Sequence, residues 1–394
     1  MMNTMLGLWS PSLGLACRRD AVSSKIGRMN PIRIHIKDIL ANLHKKMGAR
    51  LGKARIRFFL DQLSGNLEAA MAAFREDPDK SFAFHVHRFD CRTPLFKIQA
   101  LVRLLDKKKK RNLRAAQALL SVTKTVEDMI GQFDFAASLL EGLNQWDLPE
   151  TLRRDILITY GFAQGSLEEC LLQLGWITRG KNGIHGDDFG FDYLHKALDT
   201  LSFPSSGKES KYLLGFFRTL CQDLDAEVRQ GKSDLTQLED GIHEFRRDIR
   251  WLSIYASALR GKVFLTSPVA DDPFQDVITP ENKLKKYNVL PHNEKEKDRI
   301  GFPEGGFYAL GELISALGTI KDKGLVTEYI MLRGRKLGLT DKDLQRGLGM
   351  TYQDAPTTIR LAQEKVNAFV LEKEGFLKIG AALVLDTNPS PQSA

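Results

Sequence analysis

The sequence predicts an all-α protein, and three observations carry that prediction. Apolar residues recur at the helical period through most of the chain. Sustained strand alternation is nearly absent. Apolar residues make up 43% and charged residues 27% of the whole, which a packed globular chain requires and a disordered or fibrous one lacks.

The helical segments follow in order. Ile39, Leu43, Met47 and Leu51 recur every four residues between Ile39 and Phe59, with Lys and Arg between them. From Leu95 to Leu143 a stripe runs through Leu101, Leu104, Leu105, Leu119 and Leu120. The same period returns over Thr151–Leu174, Tyr212–Val228, Trp251–Leu259 and Phe307–Leu337. Only Ile32–Ile36 and Lys262–Thr266 read as short strands, and neither implies a sheet. Clustered Gly, Pro and Ser mark connectors at Gly180–Asp188 and Phe203–Ser210. Pro268–Gly306, with five prolines and many charges, reads as an inserted surface loop. The expected organisation is a leader over 1–29, a first helical half over 30–190 and a second over 191–345 carrying the loop 268–306. C-terminal helices over 346–385 and a disordered tail over 386–394 complete it.

Lys+Arg number 57 against Asp+Glu 49, a formal charge of +8. That excess permits a polyanion partner and does not demand one. Cys17, Cys91, Cys170 and Cys221 stand far apart with no C-x-x-C pair, so neither a disulfide framework nor a zinc ribbon is expected. The apolar stretch Leu6–Cys17 is shorter than the roughly 20 residues that span a bilayer. It is interrupted by Ser10, Pro11 and Ser12 and lacks a basic residue before Arg18. The expected compartment is the cytoplasm.

Histidine and arginine recur in a fixed pattern. His85-Val-His-Arg88-Phe-Asp-Cys-Arg92 has the form H-x-x-R-x-x-x-R, and His243-Glu-Phe-Arg246-Arg-Asp-Ile-Arg250 repeats it in the other half. On a helix, positions i, i+3 and i+7 share one stripe and cover roughly 10 Å of axis. Arg103, five turns after His85, returns to that stripe; Arg247 flanks the second row. Rows of guanidinium groups suit a linear polyanion, because the planar fork holds phosphate oxygens and keeps its charge. A single charged stripe is more simply a solvated helix face, and Asp90, Glu244 and Asp248 are placed to pair with these arginines. The second copy shifts the balance toward a site. A pseudo-twofold between the halves would bring the rows together around one groove or pore; this is an inference from repetition.

These residues resemble the CHAD domain (conserved histidine α-helical domain). The segment GIHEFRRDIRWLSIYASAL is the closer copy. Ala316-Leu-Gly318-Thr-Ile-Lys-Asp322 resembles the family's helix in which a Leu-Gly pair precedes a basic residue and an Asp, and Ile130-Gly131-Gln-Phe-Asp134 echoes it. The resemblance spans roughly residues 35–340. It implies two four-helix bundles as a tandem repeat related by a pseudo-twofold. It also implies binding of inorganic polyphosphate, often at intracellular polyphosphate granules. His85, Arg88, Arg92 and Arg103 would line one side and His243, Arg246, Arg247 and Arg250 the other, without a catalytic step. The first copy departs from the pattern at Thr93-Pro94-Leu95, and Pro94 would kink a helix or fix its first turn. A second register starts at His87 and aligns the apolar positions, but it sets Asp90 where an Arg belongs; the charges favour His85, and both registers stay open.

Other features point elsewhere or nowhere. Lys107–Arg111 (KKKKR) is a solvated face or a phosphate-contacting rim. Glu294-Lys-Glu296-Lys-Asp298 approaches an acidic triphosphatase pattern but has Asp298 in the lysine position. No P-loop, G-x-S-x-G or H-E-x-x-H occurs, and His85, His87 and Cys91 lack a fourth metal ligand. No enzyme, metal or cofactor is expected. Two rivals remain. Leu339–Tyr352, with a helix start at Thr340 and a further helix from Thr357, has the outline of a helix-turn-helix DNA binder. The other is a helical scaffold for protein partners.

Overall fold

The computed structural model describes residues 51–105, 110–180, 183–186, 189–202, 206–268, 272–293, 296 and 298–387. The expectations for the leader, the strand at 32–36, the helix over 39–50, most of the KKKKR run and the tail beyond 387 lie outside the described residues. The described chain is predominantly helical, and none of its helices is long and apolar enough to cross a membrane. It forms two compact units. One joins Met1–Glu141 to Arg154–Phe203; the other joins Gly142–Arg153 to Pro204–Ala394.

In the first unit, α1 (Leu51–Glu76) buries Ile56, Phe59, Leu60, Leu63, Leu67 and Met71, a seam at helical spacing. It packs against α2 (Phe82–Arg88) and α3 (Arg92–Arg103). Ser81 starts α2 by accepting from the Phe84 amide at 3.1 Å, and Glu168 accepts from Ala83 at 3.2 Å and from Phe82, so the orphan amides of the first turn find partners. The helix ends at a left-handed Asp90 (φ 50°). Asp90 then accepts from the backbone and hydroxyl of Thr93, at 3.3 and 2.7 Å, and Pro94 sits in the first turn of α3. The first H-x-x-R-x-x-x-R motif is therefore not one helical stripe but two short helices around a corner. The expected stripe over 95–143 also divides, into α3 and α4 (Lys110–Gly142). The long α5 (Glu150–Gln173), a hairpin of β1 (Thr178–Gly180) and β2 (Gly183–His185), and α6 (Asp192–Thr200) follow.

The second unit begins with α7 (Ser206–Arg229). A π turn (Leu238–His243) then runs into α8 (Glu244–Ala258) without a break. Against expectation, a sheet forms around Lys262–Thr266. The strand candidate is real as β3 (Val263–Thr266), and it does belong to a sheet. It pairs parallel with β4 (Arg299–Pro303), which pairs antiparallel with β5 (Val384–Asp386). Strands of three to five residues are too short to show alternation, and their partners lie far along the chain. The segment expected as a surface loop supplies β4, the short α9 (Pro280–Leu284) and the buried side chains Phe274 and Phe302. Phe302 stands edge-on between Phe217 and Phe307, at 4.9 and 5.7 Å. The long α10 (Glu304–Lys336) packs on α8, α11 (Asp341–Leu348), α12 (Ala355–Asn367) and α13 (Gly375–Ala382).

Residues 142–153 are tied into this unit near α11. The Asp147 amide donates to the Gly347 carbonyl at 2.9 Å and the Trp146 indole to Thr351 at 3.2 Å. A Cβ on Gly347 would lie 2.5 Å from the Asp147 carbonyl oxygen, which is backbone and cannot step aside. Alanine favours a helix over glycine by about 1 kcal/mol. Here the clash decides the sign: Gly347→Ala is expected to destabilise by about 2 kcal/mol, seen as a lower unfolding midpoint in a denaturant titration.

Candidate cationic site

The second unit carries the more complete row. Because the π turn and α8 are continuous, His243, Arg246 and Arg250 do follow one another along a single helical path, as their spacing requires. Gly241 makes the turn feasible. A Cβ there would lie 1.8 Å from the Asp234 carbonyl, so only glycine allows the chain to pass. Arg246 crosses to α10, where Nε donates to the Ile314 carbonyl at 3.0 Å. Its guanidinium lies on Gly318; a Cβ at that position would meet Nη2 at 2.7 Å and Nε at 3.0 Å. One turn further along α10 stands Lys321, paired with Asp322 at 2.6 Å. Arg247 is exposed and pairs with Glu244.

His243 reports the field of this cluster. Burial first, then Lys321, Arg247, Arg246 and Arg250, lower its pKa to about 3. Its Nδ1 is buried with no hydrogen-bond partner. The unfolded chain would protonate this imidazole near pH 6.5, whereas the folded chain holds it neutral to about 3. Falling pH therefore costs stability throughout that window. On the adjacent turn, burial raises the Glu239 carboxyl above its ordinary range, with Lys321 opposing.

The first unit differs. His85 is 1% exposed and packs edge-on against Phe84 and Phe74, with Nε2 3.4 Å from the Asp77 carbonyl; it is a core residue. The structure instead sets His87 beside the arginine. His87 Nε2 lies 2.9 Å from Asp134 Oδ1, and Arg92 Nη1 donates to Asp134 Oδ2 at 3.3 Å. Arg92 also donates to Glu127 Oε1 through Nε at 3.0 Å and Nη2 at 2.7 Å. Lys124 completes the chain of charges on Glu127 and Asp128. Arg92 lies on Gly131 much as Arg246 lies on Gly318, since a Cβ at Gly131 would meet Nη2 at 2.5 Å. Arg88 is exposed at the end of α2. Arg103 ends α3, three turns or about 16 Å beyond Arg92 on the same face. Sequence reasoning missed the seating glycines as seats, and it missed Glu127 altogether. The pairs Ile130-Gly131 and Leu317-Gly318 were the signal available for the first.

The Asp134 contact raises the His87 pKa: the hydrogen bond acts first, burial opposes it, and the Asp134 charge adds to it. A raised folded pKa gives stability that is complete below the unfolded value and lost as pH rises through the folded one. Both side chains are substantially exposed, so the contribution is small. The midpoint itself is the measurable quantity. A ring-proton NMR titration is expected to place His87 above 6.5 and to return it downward in Asp134→Asn.

Other expected features carry less. Arg346 and Arg360 in the helix-turn-helix-like segment, and Arg335 just before it, are paired with Asp343, Glu364 and Asp341 at 3.1, 2.6 and 2.6 Å. Cys91, Cys170 and Cys221 are buried free thiols; burial pushes Cys170 and Cys221 up to about 12 and Cys91 higher, which makes all three poor nucleophiles. Cys17 lies outside the described residues. No family model, curated protein or solved structure matches the chain.

Proposed function

We propose that this protein binds inorganic polyphosphate, without a chemical step, along the row His243, Arg246, Arg250 and Lys321 of the second unit. The carrying observation is geometric: Arg246 reaches from α8 onto Gly318 of α10, one turn from Lys321, so cations from two helices meet beside His243, whose pKa burial and these charges together lower. Arg246, braced on Gly318 and fixed by the Ile314 carbonyl, has its planar fork oriented before a ligand arrives. Arg247 is held by Glu244 and adds field rather than a dedicated contact. The tandem-repeat reading belongs to the same proposal. It is supported by the seating of one motif arginine on one helix glycine within each unit.

The test is a polyphosphate binding isotherm at two salt concentrations. By analogy with single-stranded nucleic acid, each phosphate-bound cation contributes a salt slope of about 0.7, so Arg246, Arg250 and Lys321 together give roughly twentyfold weakening between about 50 and about 200 mM salt. One contact gives less than about threefold. Long-chain polyphosphate is expected to displace a bound probe far better than orthophosphate or duplex DNA at equal phosphate. Preference for a DNA sequence would favour the DNA-binding rival, and indifference to every polyanion would leave a protein-interaction scaffold.

A further inference from the structure

The two arginine-on-glycine seats differ in what flanks them, and the difference is systematic along the helix. In the second unit, the residue four before the seating glycine is Ile314, which offers only its backbone carbonyl, and the residue three after it is Lys321. In the first unit the same two offsets from Gly131 hold Glu127 and Asp134. Both carboxylates reach Arg92, Glu127 through two donors and Asp134 through the third nitrogen. Asp134 also holds His87. Together they present oxygens to one guanidinium and one imidazole, the arrangement that a bound tetrahedral oxyanion would adopt.

We infer that Glu127 and Asp134 are a built-in anion: the seat of Arg92 and His87 is an oxyanion site of the first unit, closed by the chain's own carboxylates. It rests on reading the arginine-on-glycine seat as a phosphate site in the second unit. The side chains are within reach of solvent, with Arg92 30% and Asp134 49% exposed, so removing the internal carboxylates leaves a place that an external anion can enter. The ring of Phe96, 5.3 Å from the Arg92 guanidinium carbon, keeps that face of the fork apolar. The seat itself needs no rebuilding, because Gly131 and not the acids supplies the space. The chain would thus hold one seat whose arginine bonds a backbone carbonyl and one whose arginine is taken by the chain's own carboxylates, and polyphosphate would load the second unit alone.

The test uses the full chain with inorganic tripolyphosphate as the probe. Nitrogen-15 signals of the Arg92 Nε and the His87 ring are followed in the wild type and in Glu127→Ala/Asp134→Ala, which remove the charge and vacate the space. The variant is expected to show saturable shifts at both residues, with a dissociation constant at least tenfold below that of the wild type at this seat. Adding Gly131→Ala, which pushes the guanidinium off its seat, is expected to abolish the gain. Circular dichroism confirms the fold, and Asp134→Ala alone serves if the double variant is unstable. A folded variant without a response, or a wild type that responds equally at Arg92, overturns the inference; the first result would mean an internal ion pair only. The His243 and Arg246 signals in the wild-type spectrum report the polyphosphate reading separately, so failure of one is distinguishable from failure of the other.

Discussion

Arg246→Glu/Arg250→Glu is expected to weaken polyphosphate binding by roughly 100-fold. Two charge-assisted contacts at about 1.5 kcal/mol each give that factor, and the repulsion introduced by two carboxylates adds to it. Arg246 also donates to the Ile314 carbonyl, so part of any effect of its replacement is structural. Gly318→Ala separates the two contributions. The added methyl meets the far end of a flexible side chain, which can move aside, so the helix tolerates it while the guanidinium loses its seat. Binding is expected to fall several-fold with little change in the unfolding midpoint. An isotherm for each variant, with thermal unfolding alongside, checks both. Unchanged affinity in the folded double variant would remove the second unit from the account.

Glu296→Ala is expected to cost about 3–5 kcal/mol of stability. Lys262 is fully buried, at the entry to β3, and its ammonium lies 3.7 Å from Glu296, which is itself buried. At an effective dielectric constant of about 20 that separation gives roughly 4 kcal/mol of attraction, enough to offset much of the desolvation only while both charges are present. Its backbone is equally constrained. Arg260 and Gly261 before it are left-handed (φ 49° and 88°), and the Lys262 carbonyl accepts from the Ile300 amide at 2.8 Å, which opens the β3–β4 ladder. Removing the acid takes the carboxylate at 3.7 Å away from a buried cation beside the sheet. Replacing the pair together, Lys262→Met with Glu296→Leu, is expected to be nearly neutral. Urea unfolding of the two variants beside the wild type distinguishes a broken pair from a mere loss of volume.

The legible and illegible parts of the molecule divide by range. Helices such as Glu150–Gln173 and Glu304–Lys336 fall within a few residues of their apolar stripes, because an i, i+3, i+4 pattern is local and needs no tertiary knowledge. Pro94 announced the corner after the first motif, but the left-handed Asp90 that makes the turn has no sequence mark. Choosing His85 over His87 from charge count failed to see burial: His85 follows the apolar face of α2, with Phe82 and Val86, into the core. The sheet went unread because β3 finds its partner only across the Pro-rich segment. Glu127 was invisible for the same reason. Its two bonds to Arg92 span a bend and a long helix, and no spacing rule joins residues across such a path.

The chain contributes Gly142–Arg153 to the second unit before it has finished the first. Neither half is thus one uninterrupted stretch of polypeptide. On the ribosome, Trp146 and Leu148 emerge well ahead of Gly347 and Thr351, with which they later associate, and must wait for them. A fragment ending at Phe203 would expose those apolar side chains, while one starting at Pro204 would lack them. The protein is built to mature as a whole, and the release of its last helices governs when its early segment is sheltered.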